Sequence, residues 1–286
     1  MINKSMIENK ANKLFKKILI IAGSDSGGGA GIQADIKTAT ALKTYSATVI
    51  TCITAQNTKG VLAIEKVSNK MLKSQIQACL SDISFEAIKI GMLGDGEIIE
   101  TTFNCLNDNL LNSNIPIILD PVMVATSGDI LLEISAIEKL KSLLVPKSFL
   151  ITPNIDEAEL LAGIKINNIT QMKEAAMVIK KIGAVNVLIK GGHLDNKANS
   201  VTNLLLDQEN NFHFISNKKI NIFDEGMKVN FHGTGCSLAT AISCNIANGL
   251  NIIDAVKKGN NYVYKAIKNN LKIGSGSRVL KHFSPR

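Results

Sequence analysis

The chain contains 286 residues, 45% of them hydrophobic, so it can bury a substantial core, and no apolar run approaches the roughly 18–20 residues that span a bilayer. Its net charge of +8 comes from basic residues at the two ends, and aromatic residues make up only 4%, which argues against a nucleic-acid-binding surface. The short apolar run after the basic opening does not have the length of a secretory signal, so we expect a cytoplasmic protein.

Continuously apolar runs alternate with longer segments of helical periodicity along the chain. We predict strands at 17–23, 47–55, 87–92, 115–122, 148–154 and 186–192. Helices are predicted near 31–43, 69–83, 96–112, 133–144, 155–163, 170–182, 235–249 and 252–271. Strands without polar alternation are typical of a parallel sheet covered on both faces, so the pattern predicts a doubly wound α/β fold. Residues 201–216 instead predict an antiparallel hairpin at one sheet edge.

Nothing in the sequence divides the chain into separate units. It has no long linker and no low-complexity segment, and we therefore predict one domain over residues 17–286. The lysine-rich residues 1–16 are predicted to form a basic, disordered extension.

A glycine-rich segment, AGSDSGGGAGIQAD, follows the first predicted strand. It is not a Walker A loop, because no GK[ST] follows it. It loosely matches a dinucleotide fingerprint, but no acidic residue lies between Asp35 and Glu65, where one would bind the ribose. We interpret the segment as a loop that brings the backbone close to a ligand or closes over it.

Three charged residues follow buried strands, at the sheet edge where ligands of open α/β folds bind. A buried carboxylate is costly unless a cation is near, and hydrated Mg²⁺ prefers one or two carboxylates together with phosphate oxygens. Asp120 and Glu157 are therefore predicted to share Mg²⁺, and Asn154 stands where it would cap the helix that carries Glu157. A lysine on a buried strand is rare unless it meets an anion, so Lys190 is predicted to contact phosphate.

The stretch FHGTGCSLA precedes the seventh predicted helix of the series. Its residues Gly233, Thr234, Gly235 and Cys236 stand where unpaired backbone N–H groups would hold an anion. The five cysteines show no CxxC spacing and support neither a disulfide framework nor a zinc site. An anion site, a lysine, two acids and a glycine loop at one edge are the parts of phosphoryl transfer, and they predict a kinase.

The sequence resembles the ribokinase-like superfamily, and within it the hydroxymethylpyrimidine/phosphomethylpyrimidine kinases of thiamine synthesis. The segments AGSDSGGGAGIQADIKT, VITCITAQNTKGV, KIGML, DPVMVATSGD, ITPNIDEAELL, IKGGH and HGTGCS occur in that family's order and spacing, across residues 17–283. The resemblance implies a mostly parallel sheet with helices on both faces, ATP and Mg²⁺ as cofactors, a small pyrimidine as substrate and a homodimer.

The resemblance also implies roles for individual residues. The residues that would line the pyrimidine site are Gly23, Ala30, Asp35 and Gln56, with Met92 packed on the ring. Asn154 and Glu157 match an Asn-x-x-Glu element that holds Mg²⁺ through water, and Lys190 would touch nucleotide phosphate. The anion hole would be formed by Gly233, Thr234 and Gly235.

Cys236 stands where related sugar kinases carry an aspartate that acts as general base. We expect the helix N-terminus to lower the pKa of this thiol from about 8.5, although the sequence leaves open whether it accepts the proton or positions the hydroxyl. The implied activity is phosphorylation of 4-amino-5-hydroxymethyl-2-methylpyrimidine and then of its monophosphate. A pyridoxal or pyridoxine kinase of the same fold and a non-catalytic protein that binds a thiamine precursor remain as alternatives.

Overall fold

The computed structural model describes residues 15–110, 113–123, 132, 134–192, 199–220, 223–224 and 227–283. Residues 1–14 of the predicted extension, and the predicted helix ends at 111–112 and 133, lie outside this part of the chain. None of the helices within it has the length and apolar character needed to cross a bilayer.

A nine-stranded sheet forms the centre of the fold. Its strands are β1 (Lys17–Asp25), β2 (Tyr45–Gln56), β3 (Val61–Lys66), β4 (Ala87–Ile90), β5 (Ile117–Leu119), β6 (Leu150–Ile151), β7 (Asn186–Ile189), β8 (Ser200–Leu206) and β9 (Phe212–Lys218). Their order is β3-β2-β1-β4-β5-β6-β7-β8-β9. The six central strands, β2, β1, β4, β5, β6 and β7, are parallel to one another. At the two edges, β3 pairs antiparallel with β2, and β8 and β9 form an antiparallel hairpin beside β7. The predicted mostly parallel sheet and its edge hairpin are confirmed.

The sequence analysis missed strand β3, which extends the opposite edge of the sheet. It pairs with β2 so that Ile53 lies opposite Glu65 and Ala55 opposite Ala63. Every residue of β3 after Val61 is exposed. Its apolar run, VLAI, is only four residues long and does not alternate with polar residues, so it gives a weak strand signal.

Helices cover both faces of the sheet, as predicted. They are α1 (Gly31–Ala41), α2 (Asn69–Asp82), α3 (Gly96–Leu110), α4 (Ile134–Lys139), α5 (Ile155–Ala162), α6 (Ile169–Ile182), α7 (Thr234–Ala247) and α8 (Ile252–Lys268). Successive residues of β1 point to opposite faces: Ile18 and Ile20 pack with α1, α7 and α8, whereas Leu19 and Ile21 pack with α2 to α6. This alternation between two apolar cores explains why β1 is hydrophobic at every position from Ile18 to Ala22.

Two short strand pairs lie beside the main sheet: β10 (Phe223–Asp224) with β11 (Met227–Lys228), and β12 (Phe231–His232) with β13 (Arg278–Val279). The second pair holds the entry to α7. The Arg278 amide donates to the Asn230 carbonyl, and the Ser277 amide donates to the Thr58 carbonyl, at 2.9 and 2.7 Å. Residues near position 278 therefore join the start of α7 to the loop after β2.

Candidate active site

A cavity of about 710 Å³ opens at the carboxyl ends of the parallel strands. Every residue that the sequence analysis placed in the site lines this cavity, with the exception of Asp35. These residues are Gly23, Ala30, Gln56, Met92, Asp120, Asn154, Glu157, Lys190, Gly233, Thr234, Gly235 and Cys236. Residues 124–129 of the DPVMVATSGD segment lie outside the described part of the chain.

The start of α7 forms a turn, the predicted anion-binding turn, that requires glycine at position 233. Gly233 caps the helix with φ of 78°, and a Cβ at this position would lie 1.9 Å from the Gly29 carbonyl oxygen. The amides of the first helical turn have no acceptor within the helix, so they are available to an anion. A Cβ on Gly235 would lie 3.2 Å from Nζ of Lys190 and 3.6 Å from a carboxylate oxygen of Asp120. The turn therefore directly faces the charged groups of the cavity.

His282 fixes this turn from behind. Its Nε2 lies 2.9 Å from the hydroxyl of Ser237, the residue that follows Cys236. Burial, helped by the charge of Lys37, lowers the pKa of His282 to about 4. The imidazole is therefore neutral at physiological pH, and the contact with Ser237 is a hydrogen bond between uncharged groups.

Lys190 and Asp120 form a buried ion pair at the floor of the cavity. Nζ of Lys190 donates to Oδ1 of Asp120 at 2.8 Å, and the Thr152 hydroxyl donates to the same oxygen at 2.9 Å. Burial opposes both charges, but the attraction between the pair outweighs it: the pKa of Asp120 is lowered and that of Lys190 is raised. Both groups are therefore charged at neutral pH.

The charge of Glu157 is neutralised less by Lys190 than the charge of Asp120 is. It forms a capping box with Asn154: the Asn154 amide donates to Glu157 at 2.8 Å, and the Glu157 amide donates back at 2.8 Å. Its Oε2 lies 3.9 Å from Nζ of Lys190. Burial, with a further contribution from Asp120 and partly offset by Lys190, raises the pKa of Glu157 to about 7. The two carboxylates thus share one ammonium group.

This excess of negative charge suits a divalent cation. No group of three or more histidine, cysteine or acidic residues with metal-site geometry occurs among the described residues. A cation held here would therefore take one or two carboxylates and otherwise water or phosphate oxygens, which is the usual coordination of Mg²⁺. The residues fit the ion that the sequence predicted for Asp120 and Glu157.

Asp35 lies behind the cavity wall, which corrects the expectation that it contacts substrate. It is fully buried on α1, where its carboxylate accepts hydrogen bonds from Nζ of Lys89 at 2.8 Å and from the Thr240 hydroxyl at 2.7 Å. Lys89 does line the cavity, and the sequence analysis did not single it out. The signal was a lysine inside the apolar strand AIKI, the same observation that identified Lys190.

Cys236 is half-buried among these charges, and the expectation of a lowered pKa is wrong for this structure. Burial raises the pKa of the thiol to about 11, because desolvation, together with the nearby Asp35 and Asp120, outweighs the opposing charge of Lys89. The neutral thiol is therefore the main form at pH 7.

Asp25 organises the glycine-rich loop, a role that the sequence analysis did not assign. Its carboxylate accepts hydrogen bonds from the amides of Gly27, Gly29 and Ala30 at 2.8–3.0 Å. His232 lies 3.0 Å from the same carboxylate. Burial opposes the charge, but these donors outweigh it and lower the pKa of Asp25. The ordered turn brings Ala30 to the cavity wall.

The part of the cavity wall near Gly23 is apolar. Met92 is buried there, and a Cβ on Gly23 would lie 3.2 Å from the Met92 sulfur and 2.8 Å from the Cys52 sulfur. Glycine at position 23 therefore lets the Cys52 and Met92 side chains pack directly against the backbone of the wall. Gln56 lines the same end of the cavity with its amide.

Phosphoryl transfer requires positioned anion donors, a cation near the phosphates and a group beside the acceptor. The residues that suit these tasks, the amides at the start of α7, the cluster of Lys190 with two carboxylates and the Cys236 thiol, line one cavity. The fold and the site therefore define a phosphotransferase. The model of the phosphomethylpyrimidine kinase family matches residues 25–281, and the chain belongs to that family.

Known proteins that resemble this chain fall into two groups. The hydroxymethylpyrimidine/phosphomethylpyrimidine kinase of Bacillus subtilis is 41% identical over 94% of this chain and 95% of its own. The crystal structure of a phosphomethylpyrimidine kinase from Clostridium difficile is 42% identical and covers 88% of this chain and 99% of its own, with a TM-score of 0.74. A pyridoxal kinase from Staphylococcus aureus, in complex with AMP-PCP and pyridoxal, is 33% identical over 94% of this chain and 93% of its own, with a TM-score of 0.82.

Proposed function

We propose that the protein transfers a phosphoryl group from ATP to 4-amino-5-hydroxymethyl-2-methylpyrimidine and then a second one to the resulting monophosphate. The observation that carries this proposal is the 41% identity to a kinase of that name over nearly the whole of both chains. Gln56 adds physical support, because an amide can donate to a ring nitrogen and accept from a neighbouring amino group.

Phosphorylation of pyridoxal is the second candidate, and it is favoured by a TM-score of 0.82 against 0.74 for the pyrimidine kinase. That comparison also covers more of this chain, 94% against 88%. The identity of 42% against 33% favours the pyrimidine, and we give it more weight because side chains rather than the overall fold choose the substrate.

The test is a steady-state assay of the purified protein with Mg²⁺ and ATP on both rings. We expect a higher kcat/KM for the pyrimidine, and we expect Gln56→Ala to lower that value more than the value for pyridoxal. Failure to phosphorylate either pyrimidine would contradict the proposed function. Binding of the pyrimidine without turnover would instead support the non-catalytic alternative.

We assign the work of the site as follows. The free amides at Gly233, Thr234 and Gly235 bind the charge that develops on the transferred group. Lys190 contacts the phosphates, and Thr234 adds its hydroxyl to the nucleotide site. Asp120 and Glu157 would hold Mg²⁺, with Asn154 orienting Glu157 through the capping box. The ion, when bound, would neutralise phosphate charge.

Cys236 is proposed as the acceptor of the hydroxyl proton. Only its thiolate can take a proton, and with a pKa of about 11 the thiolate is about one part in 10⁴ at pH 7. In a loose transition state the substrate hydroxyl loses its proton late. A base that is only weakly populated is therefore sufficient.

A homodimer, a cytoplasmic location and a single domain over residues 17–286 complete the proposal. Residues from Ala22 to Ile267 line one cavity, which supports a single domain. Support for the dimer comes from β3, the terminal strand of the sheet among the described residues, and from β2 beside it, where Leu62 is 78% exposed and Ile53 54% exposed. Exposed apolar residues on an edge strand are typical of a surface that a second chain covers.

Leu62→Glu is expected to shift the protein from dimer to monomer, because a charge would have to be buried at the contact. Sedimentation velocity of both proteins measures the change. Met177→Glu serves as the control, since Met177 is 36% exposed on α6, which packs against β7 and β8 in the other half of the sheet. A wild-type protein that sediments as a monomer would contradict the proposed dimer.

A further inference from the structure

The ends of three strands, β1, β2 and β12, meet near the side-chain amide of Gln56. Nε2 of His232 lies 3.0 Å from Oδ2 of Asp25 and 3.0 Å from Nε2 of Gln56. On its other side, the Gln56 amide oxygen lies 3.0 Å from the Thr54 hydroxyl. The amide thus has one neighbour at each end, and the two neighbours decide which way it faces.

The proton on His232 follows from Asp25. A carboxylate can only accept hydrogen bonds, and Asp25 already accepts three from backbone amides. Nε2 of His232, at 3.0 Å from this carboxylate, must therefore carry a hydrogen. A protonated Nε2 faces the Gln56 amide nitrogen with donor against donor. Rotation of the amide by 180° places its oxygen against His232, where it shares the single Nε2 hydrogen with Asp25, and removes the contact between two donors.

The neighbour at the other end requires the same orientation. The Thr54 hydroxyl lies 3.0 Å from the Ser24 carbonyl, which can only accept. The single hydroxyl hydrogen of Thr54 therefore goes to Ser24, and its oxygen is left to accept from the amide nitrogen of Gln56. Thr54 and His232 thus agree on one orientation, with the oxygen toward His232 and the nitrogen toward Thr54.

We propose that His232 and Thr54 are positioning residues that lock the Gln56 amide in this orientation and thereby select a 4-aminopyrimidine over a 4-oxopyrimidine. The inference rests on the proposed function. A 4-amino group donates and the adjacent ring nitrogen accepts, so they match an amide whose oxygen lies on the His232 side. A 4-oxo ring carries the reverse pattern and would need the rotated amide.

The same lock aims the substrate. In the proposed substrate the hydroxymethyl group is on the ring carbon next to the 4-amino group, on the side away from the paired ring nitrogen. With the amino group on the His232 side, the hydroxymethyl group lies toward Gly233, which directly follows His232. The orientation of one amide would therefore both choose the ring and direct its hydroxyl to the anion-binding turn.

The experiment compares kcat/KM for the 4-amino substrate with that for its 4-oxo analogue in wild type, His232→Phe and Thr54→Val. Each substitution removes one constraint on the amide, so we expect the 4-amino preference to fall at least about tenfold in each variant. His213→Phe is the matched control, because His213 also pairs with an aspartate, at 2.7 Å from Asp207, but on β9 away from the cavity. Its preference should equal that of wild type.

The outcomes are distinguishable. A wild-type protein inactive on the 4-amino ring would contradict the proposed function itself. A wild-type preference that survives unchanged in both variants would overturn the inference while leaving the function intact. If His232→Phe loses activity on both rings, Thr54→Val decides the matter, because valine has nearly the shape of threonine and removes only the hydroxyl.

Discussion

Cys236→Ala is expected to separate the two phosphoryl transfers. The first acceptor is an alcohol that must lose a proton, and removal of a proton acceptor costs typically 10²–10⁴-fold in rate. The second acceptor is a phosphate oxygen that is already anionic and needs no base. We therefore expect kcat to fall by about 10²–10⁴-fold with the alcohol but by less than about tenfold with the monophosphate. Single-turnover assays started from each substrate measure the two rates.

The pH dependence of the first transfer identifies the proton acceptor. Because the pKa of the thiol is about 11, the thiolate fraction, and with it the wild-type rate on the alcohol, should rise up to tenfold per pH unit between about pH 7 and 10. The Cys236→Ala rate should be flat over that range. Cys244→Ala, on the same helix, is the control and should keep the wild-type profile. A flat wild-type profile would mean that Cys236 only positions the hydroxyl.

Glu157→Gln is expected to make the metal-free protein more stable in alkaline buffer and less active. The pKa of Glu157 is raised from 4.5 to about 7 in the fold, so the folded protein binds the proton more tightly than the unfolded chain. This contribution is complete below about pH 4.5 and is lost as the pH rises through 7, at a cost of roughly 3 kcal/mol by linkage. Glutamine does not titrate and retains the capping box, so the variant avoids the loss.

Urea unfolding in EDTA at pH 5 and pH 8 measures this effect. The stability of Glu157→Gln relative to wild type should increase between the two pH values. Glu159→Gln, on the same helix, is the control: hydrogen bonds from the Ile166 amide and Lys165 lower the pKa of Glu159 below 4.5, so its stability relative to wild type should hardly change between pH 5 and pH 8. Mg²⁺ should stabilise wild type at pH 8 but not Glu157→Gln, whose Mg²⁺ requirement should rise roughly 10–100-fold. If the stabilities of wild type and Glu157→Gln depend equally on pH, the raised pKa of Glu157 is contradicted.

The sequence was most informative where chemistry and position coincide. Lys190 and Asp120 were recognisable because a charged residue at the end of an apolar run has few explanations, and the structure pairs them at 2.8 Å. Lys89 offered the same signal and was overlooked because its charge falls inside a strand rather than at its end. Asp35 belongs to a recognisable motif, but the motif gives its place in the chain and not the direction in which α1 turns it.

The pKa of Cys236 could not be obtained from the sequence, because it is the balance of two opposing effects. A helix start favours the thiolate, and this much is visible in HGTGCS. Burial opposes it, and the extent of burial depends on Lys89, Asp35 and Asp120, which come from other elements of the chain. Strand β3 was missed for a different reason: it is mostly exposed, and its apolar run of four residues, VLAI, is too short to distinguish a strand from a loop.

The contacts of Ser277, Arg278 and His282 have a consequence for biosynthesis. The anion-binding turn at residues 233–236 is held by partners that are translated more than 40 residues later. A nascent chain with its central sheet already emerged from the ribosome still lacks the supports of this turn. ATP turnover should therefore begin only after residues 277–282 have been translated and have docked against this turn.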